Sequence, residues 1–180
     1  MTESSNTPRI LHNLGLATWF GGGLFGQVAL NPTVERISDK AERGRVLNES
    51  WGRFNALNAA AIAAAVLAWR FGGLKADAEL RAPGLMRVKD LLLGGAVFNG
   101  VMSGVLGARI ASEGPEGYTP VESGTEPAPE TPEAAAKAQR WIRFFGTGAL
   151  VCLAAAIAVT TKIEASHPKP LGLLSRLLSD

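Results

Sequence analysis

Residues 18–32 read TWFGGGLFGQVALNP, an apolar stretch in which four glycines crowd one short segment. In water, a glycine inside a helix costs about 1 kcal/mol relative to alanine. In a lipid bilayer this cost matters less, because an unpaired backbone amide finds no water there. Small residues also let the backbones of neighbouring membrane helices approach closely. The stretch therefore predicts a membrane-spanning helix whose glycines form a packing surface.

The opening stretch belongs to the first of four apolar blocks that contain no charged residue. These blocks are residues 10–29, 54–69, 91–108 and 144–161. Only 19% of the residues are charged, whereas a soluble domain has about a quarter. The alternative is a soluble protein with four buried helices, but the alanine-rich second block has no polar stripe to face water. Because a membrane crossing needs about 20 mainly apolar residues, the sequence predicts an all-α integral membrane four-helix bundle. Its spans are expected at approximately 10–30, 54–71, 90–109 and 141–161.

Three of the segments outside these spans carry further predictions. Asn31-Pro32 predicts the end of the first helix, and Pro32 can equally open a new one. Residues 32–54 carry apolar side chains at helical spacing, which predicts an amphipathic interfacial helix. Gly44 is expected to divide this helix, and the part after Gly44 can run directly into the second span. Residues 111–136 contain six glutamates, five prolines and no lysine or arginine, a composition typical of a flexible, solvated loop. The leucine-rich residues 164–180 predict an interfacial tail.

Small residues recur at spacings of three and four along the first and third spans, with a GxxxG pair in each. This spacing places them on one face of each helix, which predicts close helix–helix packing. The predicted packing residues are Gly15, Gly22, Gly26, Gly100 and Gly104.

Polar residues inside a membrane are costly and are often functional. Asn55 and Asn58 lie on one face of the second span, and Asn99 lies midway along the third. These amides either form hydrogen bonds between helices or line a small polar pocket inside the bundle. The predicted pocket residues are His12, Trp19, Asn55, Asn58 and Asn99.

The residue inventory disfavours several kinds of chemistry. His12, His167 and Cys152 are too few for a zinc, copper or haem site, so neither a metal nor a cofactor is predicted, and the lone cysteine cannot form an intramolecular disulfide. No carboxylate lies inside a span, which disfavours a proton- or sodium-coupled transporter. No nucleophile motif, phosphate loop or carboxylate pair assigns a catalytic residue. A net charge of +2 without a basic run disfavours nucleic acid as a partner.

Residues 14–61 resemble the opening of bacterial four-helix membrane proteins: uncharacterised integral-membrane families, relatives of copper-resistance protein D, and anthrone-oxygenase-like proteins. The positions that carry the resemblance are Trp19, Gly21, Gly22, Asn31, Pro32, Gly44, Arg45, Phe54 and Asn58. The copper-linked members imply a larger set of metal ligands than this chain has. The oxygenase-like members imply cofactor-free chemistry on a small aromatic molecule.

Two functions follow as hypotheses, and whether the protein is an enzyme stays open. The first is a non-enzymatic accessory or scaffold subunit of a membrane complex, with the lipid bilayer, other subunits or a second copy as partners. The second is a small cofactor-free membrane enzyme, or a binder of an apolar or aromatic molecule, with an amide-lined pocket inside the bundle.

The predicted location is the bacterial cytoplasmic membrane, crossed several times. The positive-inside rule counts lysines and arginines near the span ends, and the two sides tie at nine each. Five of these cations cluster between the second and third spans, whereas residues 110–136 carry none. This distribution favours cytoplasmic termini, with residues 111–136 outside.

Overall fold

The computed structural model describes residues 6–166, which are mostly helical and contain no β-strand; the longest non-helical segment among them is 113–132. The all-α prediction is confirmed. The helices are α1 (Thr7–Phe25), a π-helix (Gly26–Leu30), α2 (Asn31–Thr33), a 3-10 turn (Val34–Arg36), α3 (Lys40–Phe71), α4 (Leu74–Arg81), α5 (Pro83–Ser112) and α6 (Glu133–Ala165). Most of the predicted tail, together with His167, lies outside the described residues.

Three of the described helices, α3, α5 and α6, are long and apolar enough to cross a membrane. They contain 32, 30 and 33 residues. α1 is not among them: it has 19 residues, and Arg9, His12 and Asn13 lower its mean hydropathy. Length and composition therefore establish three candidate spans where the charge-free blocks predicted four.

The chain stays helical through Asn31-Pro32, so the predicted end of the first helix at this dipeptide is wrong. Asn31 keeps α-helical dihedral angles, and its N–H donates to the Gly26 carbonyl in the wider π-helical spacing. The π turn immediately precedes Pro32, the residue that has no N–H to donate. The chain leaves helical geometry at Ile37, where ψ is 127°.

No separate amphipathic helix lies between the first two predicted spans, so the prediction of a helix divided at Gly44 is wrong. The alternative, that the part after Gly44 runs directly into the second span, is confirmed. Asp39 caps α3, its carboxylate accepting from the N–H groups of Ala41 and Glu42 at 2.7 and 3.0 Å. From there the helix runs unbroken through Gly44 into the apolar segment. The charged residues of 40–53 are thus the first turns of α3. The other end of α3 is where the sequence predicted it, since Gly72 is its C-cap and Gly73 has a φ of 80°.

The long helices pack mainly as two pairs, α1 with α3 and α5 with α6, and α1 also contacts α6. The α1–α3 pair is close, because a Cβ on Gly15 would lie 2.5 Å from the Ala61 carbonyl oxygen. The core between the pairs contains Leu16, Trp19, Ala65, Leu93, Ala96, Leu153 and Ala156. Many other large apolar side chains are exposed, among them Phe25, Phe71, Leu91 and Phe144. An apolar surface of this extent suits lipid rather than water.

Candidate ligand cavity

A cavity of about 360 Å³ lies among α1, α3, α5 and α6, on the side of residues 117–124. Apolar and small residues make up much of its wall, and none of the described residues that line it is charged. Neutral polar side chains are distributed around it: Gln27, Asn31, Asn48, Asn55, Asn58, Ser103, Tyr118, Thr119 and Gln139. The cavity thus combines an uncharged wall with several hydrogen-bonding groups.

Glycines on α5 and α6 keep this space open. A Cβ added at Gly104, Gly107 or Gly146 would meet no heavy atom within 4 Å, and all three residues line the cavity. Gly104 was predicted to pack against a neighbouring helix, but the structure places nothing against it. Gly100, one turn away, lies against the Trp19 indole, where an added Cβ would be 3.3 Å from the ring.

Glycines on the first helix serve a different purpose, because they receive aromatic rings of α3. A Cβ on Gly22 would overlap the Phe54 ring, and one on Gly26 would overlap the Trp51 ring. The two rings meet edge to face with centroids 5.9 Å apart, and both residues line the cavity. These glycines therefore set the position of the aromatic wall.

Four side-chain atoms of the lining residues are buried without a hydrogen-bond partner: Asn58 Oδ1, Ser103 Oγ, Thr119 Oγ1 and Gln139 Oε1. They come from α3, α5, the α5–α6 connection and α6. Only one other described side-chain atom is in this condition, His12 Nε2. Since most buried polar atoms in proteins have a partner, their concentration around one cavity indicates that a bound molecule or water satisfies them.

Residues 117–124, here called the roof, close one end of the cavity. Val121 N donates to the Lys40 carbonyl at 3.1 Å, and Gly124 N donates to the Asn31 carbonyl at 3.1 Å. Gln139 Nε2 donates to the Ser123 carbonyl at 2.8 Å. The roof is therefore anchored to the α1–α3 junction and to α6.

Ion pairs reinforce this anchoring. Glu122 receives Lys40 Nζ at 2.7 Å and Arg43 Nη1 at 2.8 Å. The hydrogen bond from Lys40, assisted by Arg43, holds the pKa of the Glu122 carboxyl below its usual value. Thr119, Val121 and Ser123 are buried, whereas composition predicted a solvated segment. The prediction of a solvated loop is therefore wrong for the roof, because contacts with helices distant in the sequence bury these residues.

Gly44 lets the roof approach α3, because a Cβ there would overlap the Thr119 carbonyl oxygen. We expect Gly44→Ala to push the roof away and to raise the rate of amide hydrogen exchange in residues 117–124 by at least about tenfold. Such a rise corresponds to a decrease of about 1.4 kcal/mol in the free energy of opening the roof. Gly52→Ala is the matched control on the same helix, since its Cβ would meet nothing within 4 Å. Equal exchange in the two variants would show that the roof does not depend on this contact.

The structure brings three of the five predicted pocket residues to the cavity: Trp19, Asn55 and Asn58. Asn99 is not among its lining residues; its Nδ2 donates to the Gly95 carbonyl at 2.7 Å within α5. His12 is buried elsewhere, its Nδ1 donating to the Ala65 carbonyl at 2.6 Å.

Sequence reasoning missed Thr119 and Gln139, which contribute two of the unpartnered atoms. Both lie outside the four apolar blocks in which intramembrane polar residues were sought. One feature of the sequence could have indicated Gln139. It is a neutral polar residue two positions before Trp141, where the fourth predicted span begins.

Within residues 6–166, no group of three or more His, Cys, Asp or Glu side chains is arranged to hold a metal ion. No protein-family model matches the chain, and neither a curated protein nor a solved structure shows significant similarity to it. The resemblance to bacterial four-helix membrane families stays a prediction.

Proposed function

We propose that this protein binds a neutral, apolar or aromatic small molecule in the 360 Å³ cavity. The observation that carries the proposal is the set of four unpartnered polar atoms around one space. Small-molecule pockets typically measure about 300–1,000 Å³ and combine apolar walls with a few polar groups. The uncharged lining disfavours an ionic ligand, because a charge would be desolvated there without a counter-ion.

The unpartnered atoms also indicate the ligand's functional groups. The amide oxygens of Asn58 and Gln139 can only accept hydrogen bonds, so the ligand needs hydroxyl or N–H donors. Trp19, Trp51 and Phe54 supply flat apolar surfaces, against which an aromatic ring packs well. A planar aromatic molecule with two hydroxyl groups fits this description. The proposal concerns binding, and the catalytic residues, if any, stay unassigned.

The accessory-subunit hypothesis has less support from the geometry. A solid core with an exposed glycine face would favour that hypothesis, whereas small residues of α5 border an open space. Association with other subunits or a second copy stays a prediction.

We infer that α1 also crosses the membrane, together with the three candidate spans. Gly15, Gly22 and Gly26 meet α3 successively at Ala61, Phe54 and Trp51, so α1 runs antiparallel along the apolar part of α3. If α3 crosses the bilayer, its partner follows the same path. In α6, Trp141 and Lys162 are separated by about 30 Å at 1.5 Å per residue, the thickness of a hydrocarbon core. We place this four-span protein in the bacterial cytoplasmic membrane.

Titration with 2,6-naphthalenediol tests the binding proposal, with tryptophan fluorescence of the detergent-purified protein as the readout. We expect the diol to bind at least about tenfold more tightly than naphthalene, because two hydrogen bonds contribute about 0.5–1.5 kcal/mol each. Native mass spectrometry of the same preparation should detect a retained neutral compound. Equal affinities for diol and naphthalene, with no retained compound, would contradict the proposal.

Cysteine labelling tests the proposed orientation, in which both termini are cytoplasmic. Ser123, in the roof, is a poor labelling site because it is buried; the Glu126 side chain is 63% exposed. In a Cys152→Ser background, Glu126→Cys should react with an impermeant thiol reagent in intact cells. Glu79→Cys, on the exposed surface of α4, should react only after the cells are broken. The reverse pattern would invert the orientation.

A further inference from the structure

A second, smaller cavity of about 100 Å³ lies near the start of α1, the end of α3 and the end of α6. It shares no lining residue with the larger cavity. Its described lining residues include Arg9, His12, Asp77, Arg81, Lys89 and Glu164. Three cations and two carboxylates are among them, so the lining carries one more positive charge than negative when histidine is neutral. Its chemistry therefore differs from that of the uncharged cavity.

Lys89 is the unusual member of this group. It is 1% exposed, and its Nζ lies 3.9 Å from the centre of the Trp69 ring. Among residues 6–166 it forms no salt bridge within 4.0 Å. A cation–π contact compensates only part of the cost of burying an ammonium group. An anion beside the ammonium group would compensate the rest of this cost.

The nearby carboxylates do not supply that anion, because each already has other partners. Asp90 accepts from Trp69 and Lys75, Asp77 pairs with Arg81, and Glu164 pairs with Arg9. Glu164 and Asp90 attract the Lys89 ammonium group from a distance, but all three carboxylates are engaged by other donors, and none of them forms an ion pair with Lys89.

His12 adds a second unsatisfied group to the same cavity. The residue is 1% exposed, and because its Nδ1 donates to the Ala65 carbonyl, Nε2 is buried without a partner. A neutral imidazole with a proton on Nδ1 presents Nε2 as an acceptor. A phosphate group that retains one proton can accept from Lys89 and donate to His12. The cavity is also several times larger than a single water requires.

We propose that the cavity around Lys89 and His12 binds a phosphate group, carried by a lipid headgroup or present as free phosphate. The site lies at the end of the helices opposite the roof, because α3 ends there and the roof contacts the beginning of α3. The proposal does not depend on the ligand of the larger cavity.

Thermal unfolding of the full chain in a neutral detergent tests this site. The two phosphate probes are phosphatidic acid and inorganic phosphate. The comparison is phosphatidylcholine, a zwitterionic lipid whose phosphodiester has no proton to donate to His12. At a probe concentration about 100 times Kd, we expect Tm to rise by about 5 °C or more with at least one phosphate probe. A rise with phosphatidic acid alone assigns the site to a lipid headgroup, and a rise with inorganic phosphate assigns it to the free ion.

Lys89→Met should abolish this rise, whereas Lys137→Met should retain it. Both variants remove one positive charge, but Lys137 is exposed near the start of α6. Without probe, Lys89→Met should be at least as stable as the wild type, because it removes an uncompensated buried charge. An equal rise in wild type and Lys89→Met, or no rise with either phosphate probe in the wild type, would overturn the proposal.

Native mass spectrometry of the wild type gives a measurement that does not rely on any variant. At matched concentrations, we expect phosphatidic acid or inorganic phosphate to be retained at least about tenfold more than phosphatidylcholine. If both phosphate probes were retained no better than phosphatidylcholine, the protein would have no preference for a protonated phosphate group, and the proposal would fail. The diol titration at the larger cavity should be unaffected by Lys89→Met, so the two proposals can fail separately.

Discussion

Gly15→Leu is expected to prevent α1 and α3 from packing and to destabilise the protein by more than about 3 kcal/mol. A Cβ at Gly15 would lie 2.5 Å from the Ala61 carbonyl oxygen and 2.7 Å from the Ala65 nitrogen. Both atoms belong to the backbone of a continuous helix, so they cannot move aside as a side chain could. Overpacking a core typically costs about 1–3 kcal/mol, and a leucine at a backbone contact exceeds that range. Thermal unfolding in detergent measures the loss.

Gly21→Leu is the matched control for this variant. Gly21 lies in the same helix, and an added Cβ there would meet nothing within 4 Å. Because glycine and leucine differ in helix propensity by the same amount at both positions, the comparison isolates the contact. Similar melting temperatures for the two variants would mean that α1 and α3 do not approach as closely as described.

Gly104→Leu is expected to remove ligand binding while leaving the protein folded. The leucine side chain would enter the cavity, since no heavy atom lies within 4 Å of the added Cβ. We expect the affinity for 2,6-naphthalenediol to fall at least about 100-fold, which corresponds to about 2.7 kcal/mol. The melting temperature without ligand should remain near the wild-type value, because no existing contact is disturbed.

Gly94→Leu controls for adding a leucine to α5. Gly94 has equally free space around its Cβ position, but it does not line the cavity. Its diol affinity should therefore match that of the wild type. A wild-type affinity in Gly104→Leu as well would place the binding site elsewhere.

The all-helical fold and three of the candidate spans could be predicted from the sequence, because helices and apolar runs depend on local patterns. Charge-free runs of sufficient length identified the later three long helices, and Gly72-Gly73 marked the end of α3. Local rules failed at Asn31-Pro32, where a π turn accommodates the proline within a continuous helical path.

Sequence periodicity also could not separate two kinds of glycine. Gly22 and Gly104 each belong to a GxxxG pair, yet one receives the Phe54 ring and the other borders an open space. Spacing identifies the face of a helix on which a residue lies, but what lies opposite depends on the tertiary arrangement. The roof was missed for the same reason, since its backbone bonds to Lys40 and Asn31 join residues 81 and 93 positions apart along the chain.

The anchoring of the roof has a consequence for residence time. A ligand released past residues 117–124 must wait for the roof to break its bonds to Lys40, Asn31 and Gln139. Its dissociation rate then reflects the opening frequency of the protein as well as the strength of its own contacts. High ionic strength weakens the partly exposed ion pairs of Glu122. It should therefore increase both the dissociation rate and the association rate of the ligand. Affinity would change little, because both rates share the same opening step.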